Sequence, residues 1–166
     1  RTLNRFQGRG KLYVIPFQDI QVAIRDFCSD SNRVVLYRRM MYRISHAIAE
    51  LKKCDGLVTG ESVGQVASQT LKNLAAVSCV IPMSVFRPLI GMNKHEIILN
   101  AKKIGTYDIS IEEQPDCCSV FMPSHPTTRS KIKYLELDEK RYPWEKLMVE
   151  ALGMVETINL DDLPKK

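Results

Sequence analysis

The chain has 166 residues, the size of one ordinary domain or of part of a larger one. Its 45% apolar content allows a core and its 26% charged content is that of a soluble protein, while no apolar run approaches the roughly 20 residues that cross a bilayer. The net charge of +5 favours an anionic partner such as a nucleotide or nucleic acid.

The start, "RTLNRFQGRGK", lacks the apolar region of a secretory signal. It has no initiating Met and reads as the end of a helix, so a longer parent protein is expected. "KLYVIPF" (Lys11–Phe17) is a β-rich run bounded by Gly10, and a strand is predicted. "QDIQVAIRDFC" has Ile20, Ala23, Ile24 and Phe27 at helical spacing. Ser29 to Asn32 form a loop expected to cap the next helix. That helix runs from Arg33 to about Lys53, with Leu36, Met40, Ile44, Ala47, Ile48 and Leu51 along one face and Lys52 and Lys53 in the last turn. "DGLVTG" reads as a short buried strand, "VASQTLKNLAAV" as a helix and "SVFRP" as a strand closed by Pro88. "NKHEIILNAKKIG" carries Asn93 and Glu96 as a capping box and Gly105 just past its end. The order β-α-α-β-α-β-α predicts an α/β fold, a parallel sheet with flanking helices. From about residue 126, prolines and dense charge suggest an appendage packed on the main unit, 126–166 against 1–125, containing the helix "PWEKLMVEALG".

Ligands of such sheets bind off the carboxyl ends of the strands, where Gly60 and Glu61 fall. In "GLVTGESVGQVASQTLKNL" (Gly56–Leu74) a glycine at the strand end lets backbone approach a flat ligand or a phosphate. Gln69 can both donate and accept, which suits a purine edge or a ribose. The plainer alternative is a tight strand–helix turn followed by surface amides, and spacing alone leaves both open.

The same stretch resembles a signature of the tRNA 4-thiouridine sulfurtransferases, enzymes also linked to thiamine biosynthesis. The resemblance extends to "VVLYRRMMYRISHAIAE", "FRPLIGMNKHEIILNAKKIGTYDISI" and "DCCSVF", in matching order, over roughly Lys11 to Thr128. It implies an adenine-nucleotide α-hydrolase-like, Rossmann-like catalytic domain. Such a domain uses ATP, with Mg²⁺, to activate the C4 oxygen of uridine 8 in tRNA and then replaces that oxygen by sulfur. The implied ATP contacts are Arg38 in "YRRMM", Gly60 in "VTGES" and Gln69 in "ASQTL". An arginine at position 38 supplies a permanent cation for phosphate. Cys118 matches the sulfur-handling position, where a thiolate becomes a persulfide. Cys117 stays open between a resolving thiol and a small buried side chain. The resemblance also implies tRNA and a cysteine desulfurase as partners, is compatible with a homodimer, and implies no membrane.

The five cysteines, an odd number without disulfide-framework spacing, fit a reducing cytoplasm. Cys28, Cys54 and Cys79 read as core or incidental, and no C-x-x-C pair suggests zinc. An iron–sulfur cluster on Cys117 or Cys118 stays open. His46 reads as structural and His125 as a loop residue. The family's phosphate loop, Ser-Gly-Gly-x-Asp-Ser, is not in this sequence, so the chain is expected to correspond to the later part of the catalytic domain and to hold a triphosphate incompletely by itself. The rival reading is a non-catalytic nucleic-acid-binding or assembly module using the basic helix Arg33–Lys53 and the basic tail. Another ATP-dependent RNA thiolase or an amidating ligase of the same fold is a third.

Overall fold

The computed structural model describes residues 2–6, 10–113 and 121–162. Its centre is the long helix α2 (Arg33–Leu51), which packs against α1 (Gln18–Phe27) and α3 (Leu71–Ser78). Leu36, Tyr37 and Met40 of α2 are fully buried, together with Ile24 of α1 and Val77 of α3. Leu51, predicted on the same face, is 74% exposed because the helix ends there and Lys53 turns away with φ 56°.

Beside α2 lies a parallel pair, β2 (Gly56–Val58) and β3 (Ser84–Phe86), in the register Gly56↔Ser84, Leu57↔Val85, Val58↔Phe86. Gly56 is required by that pairing, since a Cβ there would come within 2.9 Å of the Phe86 ring and 3.0 Å of the Ser84 carbonyl. The crossover holds α3, whose N-cap Thr70 accepts from the Asn73 amide at 3.2 Å. That cap splits the predicted single helix: Ala67–Gln69 is a separate 3₁₀ turn and Thr70 is extended, with ψ 155°. After β3, α4 (Lys94–Lys103) has the expected capping box, with Asn93 Oδ1 accepting from the Glu96 amide at 3.0 Å and Glu96 Oε2 from the Asn93 amide at 2.7 Å. Gly105 follows with φ 73°, and α5 (Tyr107–Ser110) comes next.

The α/β architecture with a parallel sheet and flanking helices is as predicted, with one correction. Strand β1 (Lys11–Val14) does not join the parallel pair; it runs antiparallel to β4 (Glu156–Asn159), from Lys11↔Asn159 to Val14↔Glu156. A parallel strand is covered on both faces, whereas both strands of this ribbon are mostly exposed. The expected side-chain cap at Asn32 is also absent. Ser29 N, Ser29 Oγ and Asn32 Nδ2 instead donate to the carboxylate of Asp138, at 3.2, 2.9 and 2.9 Å. A carboxylate that is 2% exposed needs those donors more than the helix end does.

Asp138 lies on α6 (Ile132–Glu139), a helix the charge-dense sequence did not suggest, and α7 (Trp144–Gly153) follows it. Leu135 is fully buried against the core. Glu139 accepts from Arg39 at 2.7 and 2.9 Å and from Arg43 at 2.6 and 3.0 Å, and the Arg43 guanidinium stacks on Trp144 at 4.3 Å. Arg39 is 2% exposed, so Glu139→Ala strands a buried cation and is expected to cost about 3–5 kcal/mol. Urea unfolding of wild type and variant measures this, and a loss near that of an exposed pair such as Lys146–Glu150 would contradict it.

Candidate functional site

A cavity of about 810 Å³ opens at the carboxyl end of β2, between α2 and the 3₁₀ turn at 67–69. Its walls are apolar where Val34, Met41, Leu57 and Met122 face it, and polar where Arg38, Glu61, Ser68 and Gln69 do. Arg38 from α2, Gly60 from the β2 end and Gln69 from the 3₁₀ turn all line it, so the three residues read from sequence as ligand contacts come together from separate elements. Gly60 leaves room: a Cβ added there meets nothing within 4 Å. Gly64 is the glycine whose backbone demands it, with φ 80°.

Glu61 organises the polar end. It is 4% exposed, and its carboxylate accepts from Arg38 Nη2, from Arg87 Nε at 2.5 Å, from Tyr42 Oη at 2.7 Å and from Thr59 Oγ1 at 3.0 Å. Arg38 Nη1 also reaches Ser68 Oγ at 3.1 Å, and Arg87 Nη2 reaches Tyr42 Oη at 3.1 Å and Ser78 Oγ at 2.6 Å. Burial by itself would raise the Glu61 pKa; hydrogen bonds from Tyr42 and Arg87 and the charge of Arg38 outweigh it and hold the carboxyl below its ordinary value. Burial and the neighbouring Glu61 carboxylate push the Tyr42 phenol up, which keeps it a proton donor. Two guanidiniums against one carboxylate leave a local surplus of positive charge beside the cavity.

The Gln69 carbonyl accepts from the Ser62 amide at 2.8 Å, and Ser62 Oγ donates to the Met92 carbonyl at 2.6 Å. Gln69 therefore ties down the loop after β2, which leaves its NH₂ as the end available to a ligand. The sequence missed Tyr42, Ser68 and Arg87. Arg87 was findable, since it follows β3 directly, as Gly60 and Glu61 follow β2, and the ends of paired parallel strands share a site.

Cys117 and Cys118 lie outside the described residues. Of the other cysteines, Cys54 and Cys79 are free and exposed. Cys28 is free and half-buried, with its thiol pushed up to about 12 by burial and the nearby Asp138 carboxylate. Among the described residues no group of three or more His, Cys, Asp or Glu side chains is placed to hold a metal ion. His46 lies on α2 with Nε2 3.6 Å from Glu50, and His125 is exposed between the two prolines. In the basic helix of the rival reading, Arg38 is drawn to Glu61 and Arg39 and Arg43 to Glu139, while Lys52 and Lys53 at its end are exposed.

Residues 1–142 match the ThiI family of thiamine biosynthesis proteins. The chain belongs to this family. It is 42% identical over 161 residues to the probable tRNA sulfurtransferase of Moorella thermoacetica, covering 97% of this chain and 41% of that protein. It is 47% identical over 150 residues to the probable tRNA sulfurtransferase of Thermus thermophilus, covering 90% of this chain and 37% of that protein. A crystal structure of a 4-thiouridine synthetase–RNA complex with bound ATP superimposes with a TM-score of 0.88 at 37% identity, over 95% of this chain and 42% of that one. The ThiI-family chain thus spans about two fifths of the length of these relatives. Among its described residues, no helix is long and apolar enough to cross a membrane.

The buried carboxylates set an acid limit. Glu61 and Glu139 both have folded pKa values below the ordinary 4.5. The stability they add is present above that value and is lost as pH falls through the lowered folded values. Unfolding free energy is therefore expected to be flat between about pH 5 and about pH 8 and to drop below about pH 4.5. Glu61→Gln, which has no charge to protonate, should show a shallower drop in acid denaturation followed by circular dichroism; a slope equal to wild type would contradict the assignment.

Proposed function

We propose that this chain is the later part of the catalytic domain of an ATP-dependent tRNA sulfurtransferase, which adenylates uridine 8 and replaces its C4 oxygen by sulfur to give 4-thiouridine. The observation that carries this is the cavity at the β2 end, where Arg38, Gly60 and Gln69 converge on a space with apolar walls and a cationic rim. Family membership and the bound ATP and RNA of the similar structure support it. The apolar walls suit a flat base, the Gln69 NH₂ a ring acceptor or ribose oxygen, and Arg38 a phosphate. Glu61 is committed to Arg38 and Arg87, so Mg²⁺ is assigned to the phosphates of the nucleotide rather than to a carboxylate of this cavity.

In this reading the uridine C4 oxygen attacks the α-phosphorus, pyrophosphate leaves, and C4 carries an adenylate leaving group. The terminal sulfur of a Cys118 persulfide, loaded by a cysteine desulfurase, then attacks C4 and AMP departs. A thiol must finally cleave the S–S bond, keeping sulfur on the base and leaving a disulfide. Cys117 is the candidate, although neighbouring cysteines pair only with strain. Met122, four residues after Cys118, lines the cavity, which supports a sulfur carrier belonging to this site. Cytoplasmic location, a homodimer and sulfur supply to thiamine synthesis belong to the same proposal.

Two outcomes test it. Gly60→Val introduces side-chain atoms where the protein has open space, so melting temperature should hold while ATP affinity, measured by calorimetry on the protein at the relatives' length, falls at least about tenfold, ~1.4 kcal/mol. Unchanged affinity would remove the nucleotide from this cavity. Cys118→Ala in the same protein should abolish thiouridine formation from a persulfide donor while AMP release and ATP binding continue, and Cys117→Ala should lower turnover less. Thiouridine made at near wild-type rate by Cys118→Ala would show that the sulfur carrier is another residue.

A further inference from the structure

A second cleft, of about 370 Å³, lies where the start of α2, the segment 127–131 and the α6–α7 connection meet. Its lining includes Arg129, Ser130, Lys131, Arg141 and Asp138. Asp138 is 2% exposed and its carboxylate is already satisfied by Ser29, Asn32 and Arg141, the last at 3.2 Å. Arg129 and Lys131 have no carboxylate partner among the described residues; the Lys131 ammonium rests 5.7 Å from the Tyr134 ring. Lys131 is also the N-cap of α6 and gives it no side-chain cap; its carbonyl accepts from the Tyr134 amide at 2.9 Å, which leaves the Ile132 and Lys133 amides at the start of the helix without a capping acceptor. The Ser130 amide is held by Asn73 Oδ1 at 2.9 Å, but its hydroxyl has no partner although the residue is only 8% exposed.

Cations, an uncapped helix start and a leftover buried hydroxyl are all donors, and the one acidic group is spent. That donor set fits a phosphate. We infer that Arg129, Ser130, Lys131 and the N-terminus of α6 form a phosphate-binding site that takes a backbone phosphodiester of the RNA. The choice of RNA rests on the function proposed above and on continuity of the chain. Pro126 lines the first cavity and Thr127 the second cleft, so one short segment joins them. That segment is pinned by Thr127 N to the Ser31 carbonyl at 3.0 Å, by Thr70 Oγ1 to the Thr128 carbonyl at 2.7 Å and by Asn73 Nδ2 to the Thr127 carbonyl at 2.8 Å. An RNA whose target uridine reaches the ATP held in the cavity can lay a neighbouring phosphate across the cleft, where a free nucleotide cannot do both.

The test is binding of a labelled tRNA transcript to the full chain between about 50 and 200 mM salt. Arg129 and Lys131 are exposed, so the double variant Arg129→Gln, Lys131→Gln should fold normally. It is expected to lose about fivefold in affinity at low salt and to flatten the log–log salt slope by about 1, the loss of one phosphate contact. Ser130→Ala should weaken binding without changing the slope, and Lys146→Gln, on the exposed face of α7, should change neither. An equal loss in Lys146→Gln would show only diffuse charge attraction and overturn the site. Inorganic phosphate titrated by calorimetry separates the sources: phosphate binding lost in the double variant with RNA affinity intact would overturn the RNA assignment. A wild-type chain with no RNA affinity would overturn the partner itself, a failure distinct from an unchanged double variant.

Discussion

The inward-facing arginines of α2 govern this structure. Two consecutive turns of that helix direct cations to two buried carboxylates: Arg38 to Glu61 on one side, Arg39 and Arg43 to Glu139 on the other. Neither carboxylate is near α2 in sequence, so each pair fixes a distant segment against the helix. Glu61 draws in the loop after β2, and Glu139 draws in α6 and with it the residues beyond 126. Such pairs add little net stability compared with apolar packing, but breaking one leaves a buried charge uncompensated. They therefore specify position more than they add strength.

Position is what the cavity needs. Its cationic rim exists because Arg38 is held by Glu61 and Ser68 rather than free to extend into solvent. Gln69 is similarly half-committed, with its carbonyl fixing the loop and its amide end left over. Contacts fixed before a ligand arrives lose less conformational freedom on binding. The same logic applies across the segment 126–131, where Asn73 and Thr70 hold backbone carbonyls and amides and leave side chains outward.

The cost of this arrangement is sensitivity to acid. Both carboxylates are held ionised by their partners against the effect of burial. Protonating either removes the counter-charge of two arginines at once, so the loop carrying Gly60 and the tail carrying the second cleft loosen under the same condition.

The sequence by itself determined the local elements. Helical spacing in α1 and α2, the Asn93–Glu96 box and Gly105 are short-range signals, each decided by neighbours within a turn or two. It also indicated Arg38, Gly60 and Gln69 through the motif that carries them, and the family of the chain. It did not indicate α6, because "KIKYLELDEK" looks solvated until Asp138 and Glu139 find donors on α1–α2 and the burial of Leu135 becomes visible. It did not place β1 either, since a strand's partner is set by pairing across 142 to 148 positions, from Val14↔Glu156 to Lys11↔Asn159, that no local pattern encodes. Tertiary structure alone decided that the charges of α2 point inward, because a buried ion pair depends on which distant carboxylate arrives, and charge in sequence reads by default as surface.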